Sequence, residues 1–211
     1  MFYGQQLQDK FIFERYFPQK KNGLMIEAGA FDGILETCSK FFEDSMGWDC
    51  INIEAYPWAY EKLIINRPNC TNLGIGLSNK THELEFLQYN HPTRGPNFGN
   101  GSFSHVSWHK DELINSNCTP EKFLVKCARY DEVVDEIVAS RYHSREIDLF
   151  VLDVEGYELF VIEGMKNSKF LPKIMCVEYP MSTIPRLDVA LGELGYSLDI
   201  THNNNAMYVR P

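Results

Sequence analysis

Carboxylates that follow short apolar runs are the residues of this sequence with the clearest chemical potential. They are Glu27, Glu54, Asp153, Glu155 and Glu178. A carboxylate accepts hydrogen bonds from hydroxyl groups and can take up a proton as a general base. The preceding runs are typical of strands buried on both faces of a parallel sheet. Because ligands of such sheets bind at the carboxyl ends of the strands, the pattern predicts a carboxylate-lined site along that edge.

Two glycines follow the first of these carboxylates, at positions 29 and 33, and residues 35–43 read as the start of a helix. Strand, tight turn and helix N-terminus form the first βα unit of a nucleotide-binding sheet. The dinucleotide fingerprint G-x-G-x-x-G is absent. The observed spacing is closer to the turn that holds S-adenosylmethionine in Rossmann-like methyltransferases. The alternative is a plain strand-turn-helix whose glycines serve geometry alone.

Glu54 ends the second predicted strand, about twenty residues beyond Gly33, where an α/β nucleotide site places a carboxylate on the ribose hydroxyls. A solvent-facing glutamate is the alternative. Residues 70–79 read as a third strand and its exit loop, in which Gly76 and Leu77 are expected beside the adenine.

Composition limits the partners and the location. The chain has 211 residues, 44% of them hydrophobic, and a net charge of −9, which argues against nucleic acid or an anionic membrane as partner. No run is long enough to span a bilayer, and the N-terminus does not resemble a signal peptide. Six cysteines without a C-x-x-C pair read as reduced thiols packed singly in a cytosolic protein. We therefore predict a cytoplasmic protein with one domain, residues 1–211.

The remaining pattern predicts an N-terminal helical segment (residues 1–20, helix 5–17), short strands at 83–87 and 123–127, a helix capped by Asp131, and a hairpin at 196–209. Residues 90–109 are rich in Gly, Pro and Asn and carry three histidines. Loops of this length are often lids or substrate loops, although a surface excursion is the alternative. The histidine spacing matches no common metal-ligand pattern.

Three blocks of the sequence resemble the signature blocks of the FkbM-type S-adenosylmethionine-dependent methyltransferases. They are residues 26–33 (IEAGAFDG), 52–57 (NIEAYP) and 148–158 (DLFVLDVEGYE). A serine-containing loop, residues 101–104, also has a counterpart. The chain departs from the family at Glu27, where Asp is more frequent, and near Phe31, where Asn is more frequent. These departures concern contacts to the methionine end of the cofactor.

The resemblance implies an α/β fold, a Rossmann-like doubly wound seven-stranded mixed sheet with six parallel strands, one antiparallel strand and a C-terminal β-hairpin, and helices on both faces. It also implies O-methylation, often of sugar hydroxyls, with S-adenosylmethionine as cofactor and S-adenosylhomocysteine as product. We assign the cofactor site to Glu27, Gly29, Ala30, Asp32, Gly33, Thr37, Glu54, Ala55, Gly76, Leu77 and Asp153. We assign acceptor contacts to Ser102, Ser104, His105, Trp108 and Tyr157.

The catalytic carboxylates can be ranked by charge. A sulfonium loses its positive charge as the methyl group leaves, so an anion close to sulfur would favour the ground state. A carboxylate is more useful at the acceptor oxygen, which predicts Asp153 as base or acceptor orienter, Glu155 as partner or alternate base, and Glu178 third. Capping of a helix N-terminus is the alternative, above all for Glu158. A divalent metal on these carboxylates is conceivable, but none is predicted.

Two other functions are considered. An NAD(P)-dependent oxidoreductase would need the missing glycine fingerprint and a proton relay that the sequence lacks. A catalytically silent domain that binds S-adenosylmethionine or serves interactions would be expected to have lost Glu54 or the 153–155 block, and both are present. The predicted acceptor is a carbohydrate or glycosylated small molecule. The chain is also considered as one module of a longer multidomain polypeptide.

Overall fold

A computed structural model describes residues 1–93, 99–105, 107–179 and 184–211, with only the backbone of residue 108. A 3₁₀ helix at Gln5–Leu7 precedes the α-helices, which are α1 (Gln8–Tyr16), α2 (Ser39–Met46), α3 (Pro57–Asn66), α4 (Ser107–Asn115), α5 (Tyr130–Arg141), α6 (Glu158–Glu163) and α7 (Ile184–Gly192). The strands are β1 (Leu24–Ala28), β2 (Asp49–Ile53), β3 (Thr71–Leu73), β4 (Gly76–Ser78), β5 (His82–Asn90), β6 (Thr119–Arg129), β7 (Leu149–Leu152), β8 (Ile174–Glu178), β9 (Ser197–His202) and β10 (Asn205–Val209).

The main sheet has seven strands in the order β3-β2-β1-β7-β8-β10-β9. Strands β3, β2, β1, β7 and β8 are parallel, and β10 runs antiparallel to its neighbours β8 and β9. Six strands therefore share one direction, and the last two form a hairpin. This topology confirms the predicted Rossmann-like mixed sheet.

Alternation along the central strands explains how helices cover both faces of the sheet. In β1, Leu24 and Ile26 pack in the cluster that includes buried residues of α5, α6 and α7. Met25 points to the other face, where it packs with Ile12 of α1 and Phe42 of α2. All five β1 residues are buried. Because both faces are covered, the strand reads as a continuous apolar run broken only by Glu27.

A second sheet of three strands, β4-β6-β5, was not predicted as a separate unit. β5 pairs antiparallel with β6 over nine register positions, from His82↔Cys127 to Asn90↔Thr119. β4 pairs with the far end of β6. The predicted third strand with its exit loop, residues 70–79, is thus divided between two sheets. This second sheet carries side chains to the mouth of the site described below.

Two local predictions are wrong. Helix α2 begins at Ser39, not near Leu35, because residues 31–38 form turns, and their backbone is held by side chains. Asp131 does not cap α5: the N-cap is Arg129, and Asp131 lies in the first turn, where its carboxylate pairs with the Arg129 guanidinium. An arginine side chain supplies the stronger, charge-assisted bonds, so the carboxylate turns toward it.

The cysteines are reduced in the structure, as the sequence predicts. All six cysteines are free thiols, but Cys50 and Cys70 pack together, so the expectation of singly packed thiols is wrong for that pair. Across the described ranges, the structure contains no helix whose length and apolar character would suit it to crossing a membrane.

Candidate active site

One cavity lies at the carboxyl ends of strands β1, β2, β7 and β8, where the sequence predicts a site. Its volume is about 980 Å³ when the space at its open mouth is included. The predicted site residues on its lining are Gly29, Glu54, Ala55, Gly76, Leu77, Asp153, Glu155, Tyr157 and Glu178. The fold therefore brings residues from four strand ends and from the second sheet onto one surface.

The turn after β1 depends on Gly29. Its φ of +86° lies in the left-handed region, and a Cβ at this position would lie 1.8 Å from the Asp153 carbonyl oxygen. That distance is far inside van der Waals contact, so the ends of β1 and β7 can approach this closely only with glycine. The close approach places the turn directly beside the carboxylate-bearing segment.

Glu54 is held by the backbone of the residues around it. One carboxylate oxygen accepts a hydrogen bond from the Phe31 N–H and the other from the Tyr56 N–H, each at 2.7 Å. Burial raises the pKa of Glu54 to about 7, and the backbone hydrogen bonds oppose this rise. Because each oxygen has a second lone pair, the carboxylate can still accept hydrogen bonds from a ligand hydroxyl.

Asp153, Glu155 and Glu178 form a carboxylate cluster on the same cavity. One oxygen of each carboxyl group lies within 4.8 Å of one oxygen of both others, and all three side chains are partly exposed. Asp153 and Glu178 share a hydrogen bond, and the Asn204 side chain donates a further bond of 2.5 Å to Glu178. Glu155 has a left-handed φ of 56°, an unfavourable conformation that is more frequent at functional sites.

Burial and mutual repulsion raise the pKa values of all three carboxyl groups of this cluster. Burial, followed by the charge of Glu178, raises the pKa of Asp153 well above its ordinary value. Burial and the charge of Asp153 raise the pKa of Glu155 in the same direction. Burial and Glu155 raise the pKa of Glu178 to about 7. Carboxyl groups with raised pKa values retain their protons to higher pH than ordinary carboxyl groups do, and for Glu178 this brings proton exchange near neutral pH, as acid–base catalysis requires.

His109 contacts the cluster and was not among the predicted site residues. Its Nδ1 lies 3.4 Å from a carboxylate oxygen of Glu155, and its side chain is 17% exposed. Burial lowers the pKa of His109. The histidine content of residues 90–109 was the available signal in the sequence, but no spacing rule connects position 109 with position 155.

The same three carboxylates could hold a divalent cation. Each offers one oxygen, and hard cations such as Mg²⁺ and Ca²⁺ prefer oxygen ligands. No metal is predicted from the sequence, and this absence stays a prediction. The cluster fits both a proton-transfer role and a metal-binding role.

Several predicted cofactor residues lie off the cavity lining, namely Glu27, Ala30, Asp32, Gly33 and Thr37. Glu27 is buried and accepts hydrogen bonds from the Thr37 hydroxyl, the Cys38 N–H at 2.7 Å and the Ser39 N–H at 3.1 Å. These bonds fix the start of α2. Glu27 and Thr37 therefore hold the backbone at the start of α2, and their contact with the cofactor stays a prediction.

Asp32 and Gly33 shape the turn beneath the cavity. The Asp32 carboxylate accepts bonds from the N–H groups of Ile34 and Leu35, at 2.9 and 2.8 Å. The Gly33 N–H donates to the Ala30 carbonyl. These contacts support the backbone of residues 29–35, from which Gly29, Phe31 and Leu35 reach the cavity.

Among the predicted acceptor residues, Tyr157 is on the cavity lining, whereas Ser102, Ser104 and His105 are not. Ser102 is buried, and its hydroxyl accepts a bond from the Ser104 N–H at 2.9 Å. The His105 Nε2 lies 2.7 Å from the Asn100 carbonyl oxygen. These residues support the 99–105 segment. The side chain of Trp108 lies outside the described residues.

Glu158 lies in the first turn of α6, but it does not cap that helix as the alternative reading expected, because its carboxylate bonds the preceding loop. Its carboxylate accepts bonds from the Val154 N–H at 3.2 Å and from the Gly156 N–H at 2.9 Å. It therefore holds the loop that presents Asp153 and Glu155 to the cavity.

The cavity lining also includes residues that the sequence pattern does not predict as site residues, among them Gln5, Phe31, Glu36, Phe86, Gln88 and Phe103. The last three come from β5 and from the segment that bridges to it, where Ser102 and Leu87 exchange backbone bonds of 3.0 Å. Phe86 and Phe103 meet edge to face, with ring centroids 5.1 Å apart. No sequence signal linked these positions to the strand ends of the main sheet.

Comparison with known proteins places this geometry in a family. A family model described as "Methyltransferase FkbM domain" matches residues 27–198. The structure is similar to an FkbM methyltransferase from Methylobacillus flagellatus KT, with a TM-score of 0.54 and 15% identity. That similarity covers 89% of this chain and 43% of the other, so the chain spans less than half the length of that structure.

Two further solved structures are similar at lower scores. Fibrillarin from Aeropyrum pernix, in complex with natively bound S-adenosyl-L-methionine, has a TM-score of 0.49 and 14% identity, covering 90% of this chain and 67% of that one. Precorrin-6y C5,15-methyltransferase from Geobacter metallireducens GS-15 has a TM-score of 0.47 and 9% identity, covering 97% and 86%. A comparison with curated proteins gives no match. Because the family model spans most of the sequence, the chain belongs to the FkbM methyltransferase family.

Proposed function

We propose that this chain is an S-adenosylmethionine-dependent O-methyltransferase whose acceptor is a hydroxyl group, with a sugar as the preferred acceptor class. The observation that carries the proposal is the convergence of Gly29, Glu54 and the cluster of Asp153, Glu155 and Glu178 on one cavity. Family membership supports methyl transfer, and the carboxylates support a hydroxyl acceptor, since a hydroxyl must lose its proton when it is methylated.

The residues present fit the methyl donor. S-adenosylmethionine, when bound, supplies a methyl carbon attached to a positively charged sulfur. The Glu54 carboxylate, held by two backbone N–H groups, is available for ribose hydroxyls. Gly29 lets the turn approach a ligand without a side chain in the way. Gly76 and Leu77 offer backbone and apolar surface on the same cavity.

In the proposed reaction, the cluster orients the acceptor hydroxyl and takes its proton. Asp153 is the first candidate for the base and Glu155 the second, with Glu178 as their partner. Holding the reacting atoms in line can contribute about 7–11 kcal/mol. General-base assistance typically contributes about 10²–10⁴-fold.

The sugar assignment rests on weaker support than methyl transfer. The family resemblance suggests it, and the cavity carries the aromatic rings of Phe86 and Phe103, which suit the apolar face of a sugar ring. The net charge of −9 disfavours nucleic acid as acceptor.

The test begins with isothermal titration of the protein with S-adenosylmethionine, S-adenosylhomocysteine and NAD. We expect binding of the first two and none of NAD. Incubation with methyl-labelled S-adenosylmethionine and a panel of oligosaccharides should then place label on a sugar oxygen, identified by mass spectrometry. Binding without transfer to any acceptor would favour a silent domain, and label on RNA or protein alone would overturn the sugar assignment.

Substitutions in the cluster test the base. We expect Asp153→Asn to lower turnover about 10²–10⁴-fold, and Glu155→Gln to lower it less. Asp135→Asn is the matched control, because Asp135 is a partly buried carboxylate of α5 that bonds Ser168 and lies off the cavity. Equal turnover in Asp153→Asn and Asp135→Asn, at equal melting temperature, would refute the base assignment. Activity that survives EDTA would show that the three carboxylates act in the reaction without a bound metal ion.

A further inference from the structure

Two cysteines lie side by side where β2 and β3 begin, off the cavity. The parallel register of these strands pairs Ile51 with Thr71, which sets Cys50 beside Cys70. Neighbouring strands lie about 4.7–4.9 Å apart, and disulfides join Cα atoms about 4.4–6.8 Å apart. Cys50 is buried, whereas Cys70 is partly exposed and packs against the cluster that contains Cys50.

A buried arginine lies against this pair. The Nη2 of Arg67 donates to the Cys70 Sγ at 3.5 Å, and the whole Arg67 residue is 1% exposed. The same guanidinium forms an ion pair with Glu43 and donates to the Gly33 carbonyl at 3.2 Å. A partly exposed thiol beside a fixed cation is the setting in which cysteines become reactive.

The two thiols are not equivalent. A hydrogen bond from the Cys50 thiol and the charge of Arg67 lower the pKa of Cys70. The same hydrogen bond and burial raise the pKa of Cys50 well above its ordinary value. Its partial exposure and its contact with the Arg67 guanidinium make Cys70 the attacking sulfur of the pair, and Cys50 is the neighbouring thiol.

We propose that Cys70 is a hydroperoxide-reactive cysteine that forms a disulfide with Cys50. In the first step the Cys70 thiolate attacks the O–O bond of hydrogen peroxide, which gives the Cys70 sulfenic acid and hydroxide. In the second step the Cys50 sulfur attacks the sulfenic sulfur, and the thiol proton leaves with the hydroxyl group as water. Each disulfide consumes one peroxide, which is reduced, while two thiols are oxidised.

The other four cysteines lack this arrangement in the described residues. Cys38 and Cys176 are both buried and are bridged by the Gln8 side chain. Burial raises the pKa of Cys118 and of Cys127. These thiols serve as internal controls in one protein. Because Cys50 and Cys70 do not line the cavity, this proposal and the methyltransferase proposal can fail separately.

The test treats the fully reduced full chain with stoichiometric hydrogen peroxide. We expect the intact mass to fall by about 2 Da, the two thiol hydrogens, and the thiol titre to fall from six to four. Peptide mapping under non-reducing conditions should give one Cys50–Cys70 linked pair. A mass loss located in Cys38–Cys176, or dimers linked through Cys70, would overturn the proposal.

Three variants separate the two steps. Cys50→Ser should stop at a sulfenic acid on Cys70, heavier by about 16 Da and trapped by dimedone. Cys70→Ser should lose the reaction, and Cys127→Ser should behave as the unmodified chain does. A further test does not depend on whether the variants fold. Competitive labelling of the unmodified chain with iodoacetamide at pH 7 should modify Cys70 at least 10-fold faster than any other cysteine. Equal labelling of Cys70 and Cys118 would refute the assignment.

Discussion

Replacing Gly29 by alanine tests whether the ends of β1 and β7 are as close as the structure shows. The new Cβ would lie 1.8 Å from the Asp153 carbonyl oxygen, and φ is +86°. The left-handed conformation costs about 1–2 kcal/mol for a residue with a Cβ. Relieving the overlap costs about 1–3 kcal/mol more, the usual range for overpacking. The Asp153 backbone must move, and its carboxylate moves with it.

Gly195→Ala is a matched control. Gly195 also has a φ of +86°, but the nearest atom to its Cβ position is the Arg210 Nε at 3.6 Å, which is ordinary contact. It therefore carries the cost of the backbone conformation without the overlap. We expect Gly29→Ala to lose about 1–3 kcal/mol more than Gly195→Ala, or about 2–4 °C of melting temperature for each kcal/mol in a chain of this length.

Urea unfolding at constant pH measures the free energy of unfolding of both variants, and titration with S-adenosylmethionine measures the affinity of each for the methyl donor. We expect Gly29→Ala to bind at least 10-fold more weakly than the unmodified chain, while Gly195→Ala binds equally well. Equal stability of the two variants would contradict the close approach. A stability loss confined to Gly29→Ala, with unchanged affinity, would mean that this turn does not hold the methyl donor.

Three further predictions follow from the carboxylates. Glu54→Gln replaces one acceptor of a backbone N–H by a donor, so we expect the free energy of unfolding in urea to fall by about 1.5–3 kcal/mol. S-adenosylmethionine should also bind more weakly. Glu61→Gln, at an exposed position, should change neither quantity. Burial and Glu155 raise the pKa of Glu178 to about 7, above its value in the unfolded chain. The contribution of Glu178 to the free energy of unfolding is therefore fully present below about pH 4.5 and is lost as the pH rises through 7. Glu178→Gln should therefore raise the melting temperature of the free protein at pH 8 and not at pH 5, and the reverse order would contradict the shift. Binding of S-adenosylmethionine at pH 7 should release more protons than binding of S-adenosylhomocysteine, because only the former brings a positive charge to the cluster, and calorimetry in two buffers of different ionisation enthalpy measures the difference.

The central strands could be predicted because their physical setting leaves a simple trace. A strand buried on both faces of a parallel sheet is a continuous apolar run, as in Leu149–Leu152. Parallel strands end at the same edge, so carboxylates after such runs meet. Those two regularities were sufficient to predict buried parallel strands and a carboxylate-lined edge that includes Glu54, Asp153 and Glu178, whereas the seven-stranded mixed sheet was implied by the family resemblance.

Side-chain direction could not be predicted in the same way. Glu27 follows an apolar run as Glu54 does, yet it bonds the N–H groups at the start of α2, whereas Glu54 lines the cavity. The difference arises because residues 37–39 lie next to Glu27 after the turn, so that their hydroxyl and N–H groups bond its carboxylate. The pattern of residue types does not predict the course of the backbone through this turn.

The second sheet and His109 were missed because their contacts are distant in sequence. β5 and β6 pair across residues 91–118, a long connection that includes α4. His109 meets Glu155 across 46 positions of the chain. Local periodicity carries no information on either contact, although both reach the cavity or the carboxylates beside it.

The crowding of the three carboxylates links their proton affinity to the methyl donor under the proposed function. Burial and the neighbouring charges raise the pKa values of Asp153, Glu155 and Glu178, so the free cluster retains protons to higher pH than isolated carboxyl groups do. An opposite charge within about 4–6 Å favours the ionised form of a carboxyl group. The carboxylates would then become bases only beside a bound cation. The carboxylates would take up the proton of the acceptor hydroxyl as the positive charge on sulfur disappears. After methyl transfer the cluster would then have the same protonation as in the free protein.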